Sequence, residues 1–189
     1  KVIIAKALNR TFSWVWGGDA IGWTKYLELN ETQAEATSAA RWNDTAPTST
    51  VFSVKNEYNS GDNAIAYCFA EKTGYSKFGS YTGNGNADGT FVYTGFKPAW
   101  VMIKRYDSGT LDWNMYDNKR LGYNGGDAPL FANLSNAESN DYGRIDLVSN
   151  GFKIRTSNDQ LANNGGSFLY MAFAEAPLVT SGNIPATAR

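Results

Sequence analysis

Residues 65–71 read Ile65-Ala66-Tyr67-Cys68-Phe69-Ala70-Glu71, and the pattern returns as Leu169-Tyr170-Met171-Ala172-Phe173-Ala174-Glu175. A chain that writes one apolar segment twice must solve one packing problem twice, so an internal repeat constrains the fold before any single residue does. Other landmarks recur in the same order. Val2-Ile3-Ile4 matches Val101-Met102-Ile103, and Trp14 and Trp113 follow at the same interval. The segment from Asn30 to Glu35 then matches that from Asn133 to Glu138, Arg41 matches Arg144, and Phe52-Ser53-Val54 matches Phe152-Lys153-Ile154. The chain divides on this basis into a first β repeat, residues 1–78, and a second, residues 79–189, with a short C-terminal tail. Two strand-like pieces, around Phe78–Thr82 and Thr90–Thr94, precede the second copy's Val-Met-Ile. Their equivalents in the first copy are expected upstream of Lys1, as part of a longer polypeptide.

The repeated segments are short, rich in β-branched and aromatic residues, and bounded by Gly, Asn, Asp or Pro, which is how strands read. Six Trp, eleven Tyr and ten Phe beside nineteen Gly fit half-buried pleated surfaces joined by many turns. Asn84-Gly85 and Asp88-Gly89 are turn signals. The expected fold class is all-β: an antiparallel β-sandwich, jelly-roll or concanavalin-like, built from two homologous repeats. Two small sandwiches in tandem are preferred over one large one, and both arrangements stay open. The only helix-like stretch is Glu31 to Arg41, where the capping pattern Thr32-Gln33-Ala34-Glu35 could start a short helix; it is read as a loop with at most one or two helical turns.

The residue types present exclude several chemistries. There is no histidine, so no Ser-His-Asp triad, Cys-His pair or histidine-held zinc can form. A single cysteine, Cys68, excludes an intrachain disulfide and reads as a small buried hydrophobe. The formal net charge is −1, with no basic stripe to displace phosphate counterions, so nucleic acid is not an expected partner. No apolar run approaches a membrane span. Asp107, Asp112 and Asp117 are too widely spaced for a calcium loop, and the Gly83–Gly89 segment reads as a tight turn. No cofactor or metal is expected.

Glu71 and Glu175 are the best candidates for the paired carboxylates a glycosidase needs. They are equivalent positions of a repeat, however, and a feature copied with the fold is a feature of the fold. They are therefore read as structural, paired with the repeat-equivalent Arg41 and Arg144 within each copy. Trp14, Trp113 and Trp100 are assigned to the core. Trp23 and Trp42 lie in polar stretches, where an exposed indole could stack on a sugar or anchor an interface. Tyr123 and Asp127 join them as ligand-binding candidates, because they lie in a loop inserted relative to the first copy.

From Tyr67 through Gly85, from Phe91 to Arg105, and again at Ser149–Arg155 and Tyr170–Glu175, the chain resembles a domain of unknown function found in tail and other virion proteins of marine and cyanobacterial phages. That domain often follows concanavalin- or laminin-G-like modules. The resemblance covers nearly the whole chain. It implies a virion location, other virion subunits as partners, a homo-oligomer with a trimer as one form, and attachment to a host-surface glycan or receptor. It carries no catalytic residues. The expected function is thus a non-enzymatic phage tail fibre or appendage. The alternatives are a capsid decoration or tail ornament without a ligand and, more remotely, a glycan-degrading enzyme.

Overall fold

The computed structural model describes residues 1–55, 58, 61–120, 124, 128–138 and 144–176. Along them run β1 (Val2–Ala7), β2 (Val15–Gly18), β3 (Lys25–Glu28), β4 (Ala36–Thr37), the single turn α1 (Ala39–Trp42), β5 (Ala64–Phe69), β6 (Ser76–Thr82), β7 (Phe91–Tyr93), β8 (Trp100–Arg105), β9 (Asn114–Asp117), β10 (Leu130–Phe131), β11 (Ile145–Val148), β12 (Gly151–Ile154) and β13 (Ser167–Phe173). They form three antiparallel sheets. The first has the order β4-β3-β2-β1-β5, the second β10-β9-β8-β13-β6 and the third β11-β12-β7.

The second sheet lies in the middle. On one face Val101, Ile103, Tyr116, Phe168 and Tyr170 pack against Ile145, Leu147, Phe152 and Ile154 of the third sheet. On the other face Met102, Trp113, Leu169 and Met171 pack against Val2, Ile4, Trp16 and Leu27 of the first. The result is a β-sandwich-like, layered all-β fold. A strand buried on both sides must be apolar throughout instead of alternating. That is why β13 reads Ser-Phe-Leu-Tyr-Met-Ala-Phe, with its central residues all buried. Between the first and second sheets, the Trp113 indole donates to the Glu28 carbonyl at 3.0 Å, and the Trp16 indole points at the Met171 sulfur at 3.5 Å.

The first two sheets correspond strand by strand. The order β3-β2-β1-β5 recurs as β10-β9-β8-β13. The Trp14 N–H donates to Asn30 Oδ1 at 2.8 Å, and the Trp113 N–H donates to Asn133 Oδ1 at 2.9 Å. The Leu29 N–H reaches the Trp14 carbonyl at 2.8 Å, and the Ala132 N–H reaches that of Trp113 at 3.0 Å. The register corrects the sequence alignment by one residue. Val2 sits opposite Phe69 while Trp100 sits opposite Phe173, so Val2 corresponds to Trp100 and not to Val101. Alternation across a sheet decides this, because a one-residue slip would turn every side chain to the wrong face.

The outer face of the first sheet is built differently. Ala5, Gly17 and Ala66 occupy the places that Ile103, Tyr116 and Tyr170 hold in the second sheet. These small residues make room for Trp42 and Trp23, which cluster there with Ile3, Ala5 and Val15. A Cβ on Gly17 would come within 2.5 Å of the Trp42 indole. α1 delivers that indole. The Ser38 hydroxyl caps the turn by accepting from the Ala40 N–H at 3.3 Å, and Asn43, at φ 52°, ends it. The turn therefore starts at Ala39, after its cap Ser38 and later than the Thr32–Glu35 pattern suggested. Glu35 is held elsewhere: its N–H donates to the Tyr106 carbonyl at 2.8 Å and its carboxylate pairs with Lys25. Phe52-Ser53-Val54, aligned in sequence with β12, forms no strand.

Candidate functional site at the open edge of the first sheet

β13 is paired on both sides. β8 lies along one edge and β6 along the other, from Ser167 opposite Thr82 to Phe173 opposite Ser76. Its counterpart β5 is paired on one side only among the described residues, with β1. β5 reads Ala-Ile-Ala-Tyr-Cys-Phe, carries no charge, and is largely exposed. Natural sheets protect free edges with Lys, Pro or bulges, because an unpaired row of N–H and C=O groups templates further strands. β5 has none of these safeguards within its length.

Apolar grooves flank this edge. One, of about 270 Å³, runs between Val2, Ile3, Cys68 and Phe69 on one wall and Pro47 to Phe52 on the other. A second, of about 150 Å³, lies between Ala5, Ala64 and Ala66 and the side chains of Phe52, Val54 and Tyr58. A third, of about 260 Å³, opens on the opposite side of the strand beside Trp14, Leu29, Tyr67 and Phe69. Val51, Phe52, Val54 and Tyr67 are all exposed, with Val51 at 63%. Apolar surface concentrated in this way marks a contact region, whereas isolated exposed hydrophobes do not.

The residues singled out from sequence fare differently. Trp23 and Trp42 are buried, 8% and 1% exposed, and meet edge to face at 5.6 Å. The Trp23 indole donates to Asp19 Oδ1 at 2.7 Å. These indoles are corrected from stacking platforms to core, because the small residues of the outer face leave space that only large rings fill. Tyr123 and Asp127 lie outside the described residues. Cys68 is exposed, not buried, because its strand has β1 on one side and no strand on the other among the described residues. Trp113 is fully buried, but Trp14 stays at the rim and stacks on Tyr67 at 6.2 Å. Trp14 is half-buried against the core while Tyr67 is exposed, and this stacked pair escaped sequence reasoning, since equivalence to a buried tryptophan argued for the core alone. The run of uncharged residues in β5 was its only signal.

The carboxylates pair with nearer cations than the repeat suggested. Arg41 pairs with Glu28 at 3.1 Å and lies 4.4 Å over the Tyr26 ring. Glu71 pairs with Lys77 at 3.3 Å and accepts from the Phe78 N–H at 3.2 Å, while Glu175 pairs with Lys119. The last contact holds Glu175 below the usual carboxylate range. Arg144 is buried, and its carbonyl accepts from the Arg155 N–H. Asp107 and Asp117 accept from Arg105 and Arg120 respectively, and Asp112 accepts from Asn133 at 2.8 Å. Among the described residues no three His, Cys, Asp or Glu side chains converge as metal ligands. No helix among them is long and apolar enough to cross a membrane.

Compared with known proteins, residues 1–177 match a family described as a domain of unknown function, DUF7483. No curated protein and no solved structure matches the chain.

Proposed function

We propose that this chain, which belongs to the DUF7483 family, is a non-catalytic structural module of a bacteriophage virion, a tail fibre or a similar appendage. In this reading two copies of one sheet-forming unit, residues 1–78 and 79–189, complete a single layered sandwich of the jelly-roll or concanavalin-like kind. The corresponding strand orders and hydrogen bonds of the first two sheets support the duplication. The virion assignment rests on the resemblance of Tyr67–Gly85 and Phe91–Arg105 to phage tail proteins. The observation that carries the structural role is the bare, uncharged edge of β5 and its grooves. Main-chain hydrogen bonding along such an edge recognises polypeptide, as strand addition does elsewhere. Other virion subunits, further copies of the chain in a homo-oligomer, or both are its natural partners.

Antibodies raised against the chain and imaged on intact particles test this directly. Label at the tail or its fibres supports the proposal. Label confined to the capsid favours a decoration protein, and no label on purified particles rejects both.

A host-attachment role has one specific support, the stack of exposed Tyr67 on half-buried Trp14, since an aromatic face at the surface suits a sugar ring. Saturable binding on a glycan array, lost in Trp14→Ala and kept in Trp42→Phe, would establish it. Equal loss in both variants would reduce it to a folding effect.

A further inference from the structure

Three features of the first sheet have one common explanation. Among the described residues the outer edge of β5 is unpaired. Phe52-Ser53-Val54, the counterpart of β12, forms no strand and leaves Phe52 and Val54 exposed. Grooves separate that segment from β5 and β1. In the second copy the corresponding places are filled by two strands that precede β8. There β6 pairs with β13, and the chain crosses to the third sheet, where β7 pairs with β12 through Val92 opposite Phe152. It then returns to β8 on the other side of β13. One missing pair of strands, of β6 and β7 type, would pair the β5 edge, order residues 52–54 and close the grooves together.

We propose that the β5 edge is the docking site for such a strand pair, carried on the polypeptide that leads into Lys1. The first strand adds antiparallel to β5, and the second lies on the outer face beside Phe52–Val54. This inference rests on the duplication reading and is independent of the virion assignment. The register follows from the template. Ala172 faces Lys77 in the second copy, and Cys68 holds the place of Ala172 because Phe69 and Phe173 correspond. Cys68 should therefore face the docked strand's equivalent of Lys77. Cross-strand partners in an antiparallel pair lie within disulfide reach.

The test grafts residues 75–98 directly ahead of Lys1, reproducing the connection that leads into β8. In this graft the copied Lys77 is replaced by Cys, or in a control the copied Ser80 is. Under mild oxidation the first graft should form an intramolecular disulfide with Cys68, and the second should not. In the uncysteined graft the amides of β5 should exchange at least about tenfold more slowly than in the ungrafted chain. Equal trapping at both positions, or unchanged exchange in β5, overturns the proposal. So does an ungrafted chain that forms Cys68-linked dimers with protected β5 amides, because a second copy would then be the occupant. A native-site control, Lys77→Cys with Ala172→Cys and Cys68→Ser in the ungrafted chain, separates the two failures. If it closes while the graft does not, the docking inference fails and the template stands. If it does not close, the template itself is wrong.

Discussion

Single side chains hold this fold at positions that differ in cost. Asn30 and Asn133 each accept a tryptophan backbone N–H, but Asn133 is the more buried and also donates to Asp112. Asn133→Ala should cost about 1–2 kcal/mol and Asn30→Ala less, read from urea unfolding midpoints. Gly17→Ala drives a methyl into the Trp42 indole and should cost about 1–3 kcal/mol in the same assay. Arg41→Ala strands Glu28 in a half-buried site and removes the cation from Tyr26, for about 3 kcal/mol. Glu71→Gln, at a partly solvated pair with Lys77, should cost under about 1 kcal/mol. Lys104 has a pH signature. It is fully buried and donates to the carbonyls of Thr32, at 2.9 Å, and Leu111. Burial pushes its pKa down to about 8, against a smaller upward pull from Asp112. The unfolded chain then holds the lysine proton more tightly than the folded one between about pH 8 and 10.5. Over that window the Lys104 contribution to stability rises with pH. Melting wild type and Lys104→Met from pH 7 to 9.5 should show wild type gaining relative to the variant above pH 8. Parallel curves would contradict this assignment.

Elements written from the same motif behave unlike each other because their neighbours differ. β5 and β13 share the Phe-Ala-Glu ending, yet one is an exposed edge and the other the centre of the molecule. Native-state hydrogen exchange should separate them by about a hundredfold or more, with β13 the slower. α1 is a single turn whose task is to place Trp42 over Gly17. Trp42→Ala removes the largest ring of the outer cluster and should cost about 3–5 kcal/mol, whereas Ser38→Ala loses only a cap worth about 1 kcal/mol. The sequence placed most strands well, because strand-length apolar segments between turn residues have few alternatives. The single helical turn falls at the end of the Glu31–Arg41 stretch and not at its Thr32–Glu35 capping pattern, and the strand read at 52–54 is not formed. In both cases partners outside the segment decided: the Glu35 N–H is taken by the Tyr106 carbonyl, and among the described residues no strand pairs with Phe52.

At the level of the whole molecule, one core cluster lies within residues 1–78 and one within residues 79–189, but the central cluster joins the two. That cluster, between the first and second sheets, draws Val2, Ile4, Trp16 and Leu27 from the first half of the chain and Met102, Trp113, Leu169 and Met171 from the second. Residues 76–78 also open β6, which pairs with β13. Expressed alone, residues 1–78 should therefore lack near-ultraviolet dichroism, and the intact chain should melt in one transition followed equally by tryptophan fluorescence and far-ultraviolet dichroism. Two resolved transitions would show that each copy folds by itself.

By itself the sequence determined the all-β class, the recurring landmarks and the exclusion of histidine chemistry, because composition, turn residues and motif order are local properties. The tertiary structure decided which tryptophans are buried, which cation meets each glutamate and which copy of the repeated strand lies bare. Burial and pairing belong to a residue's neighbours in space, and two segments with the same Phe-Ala-Glu ending received different neighbours.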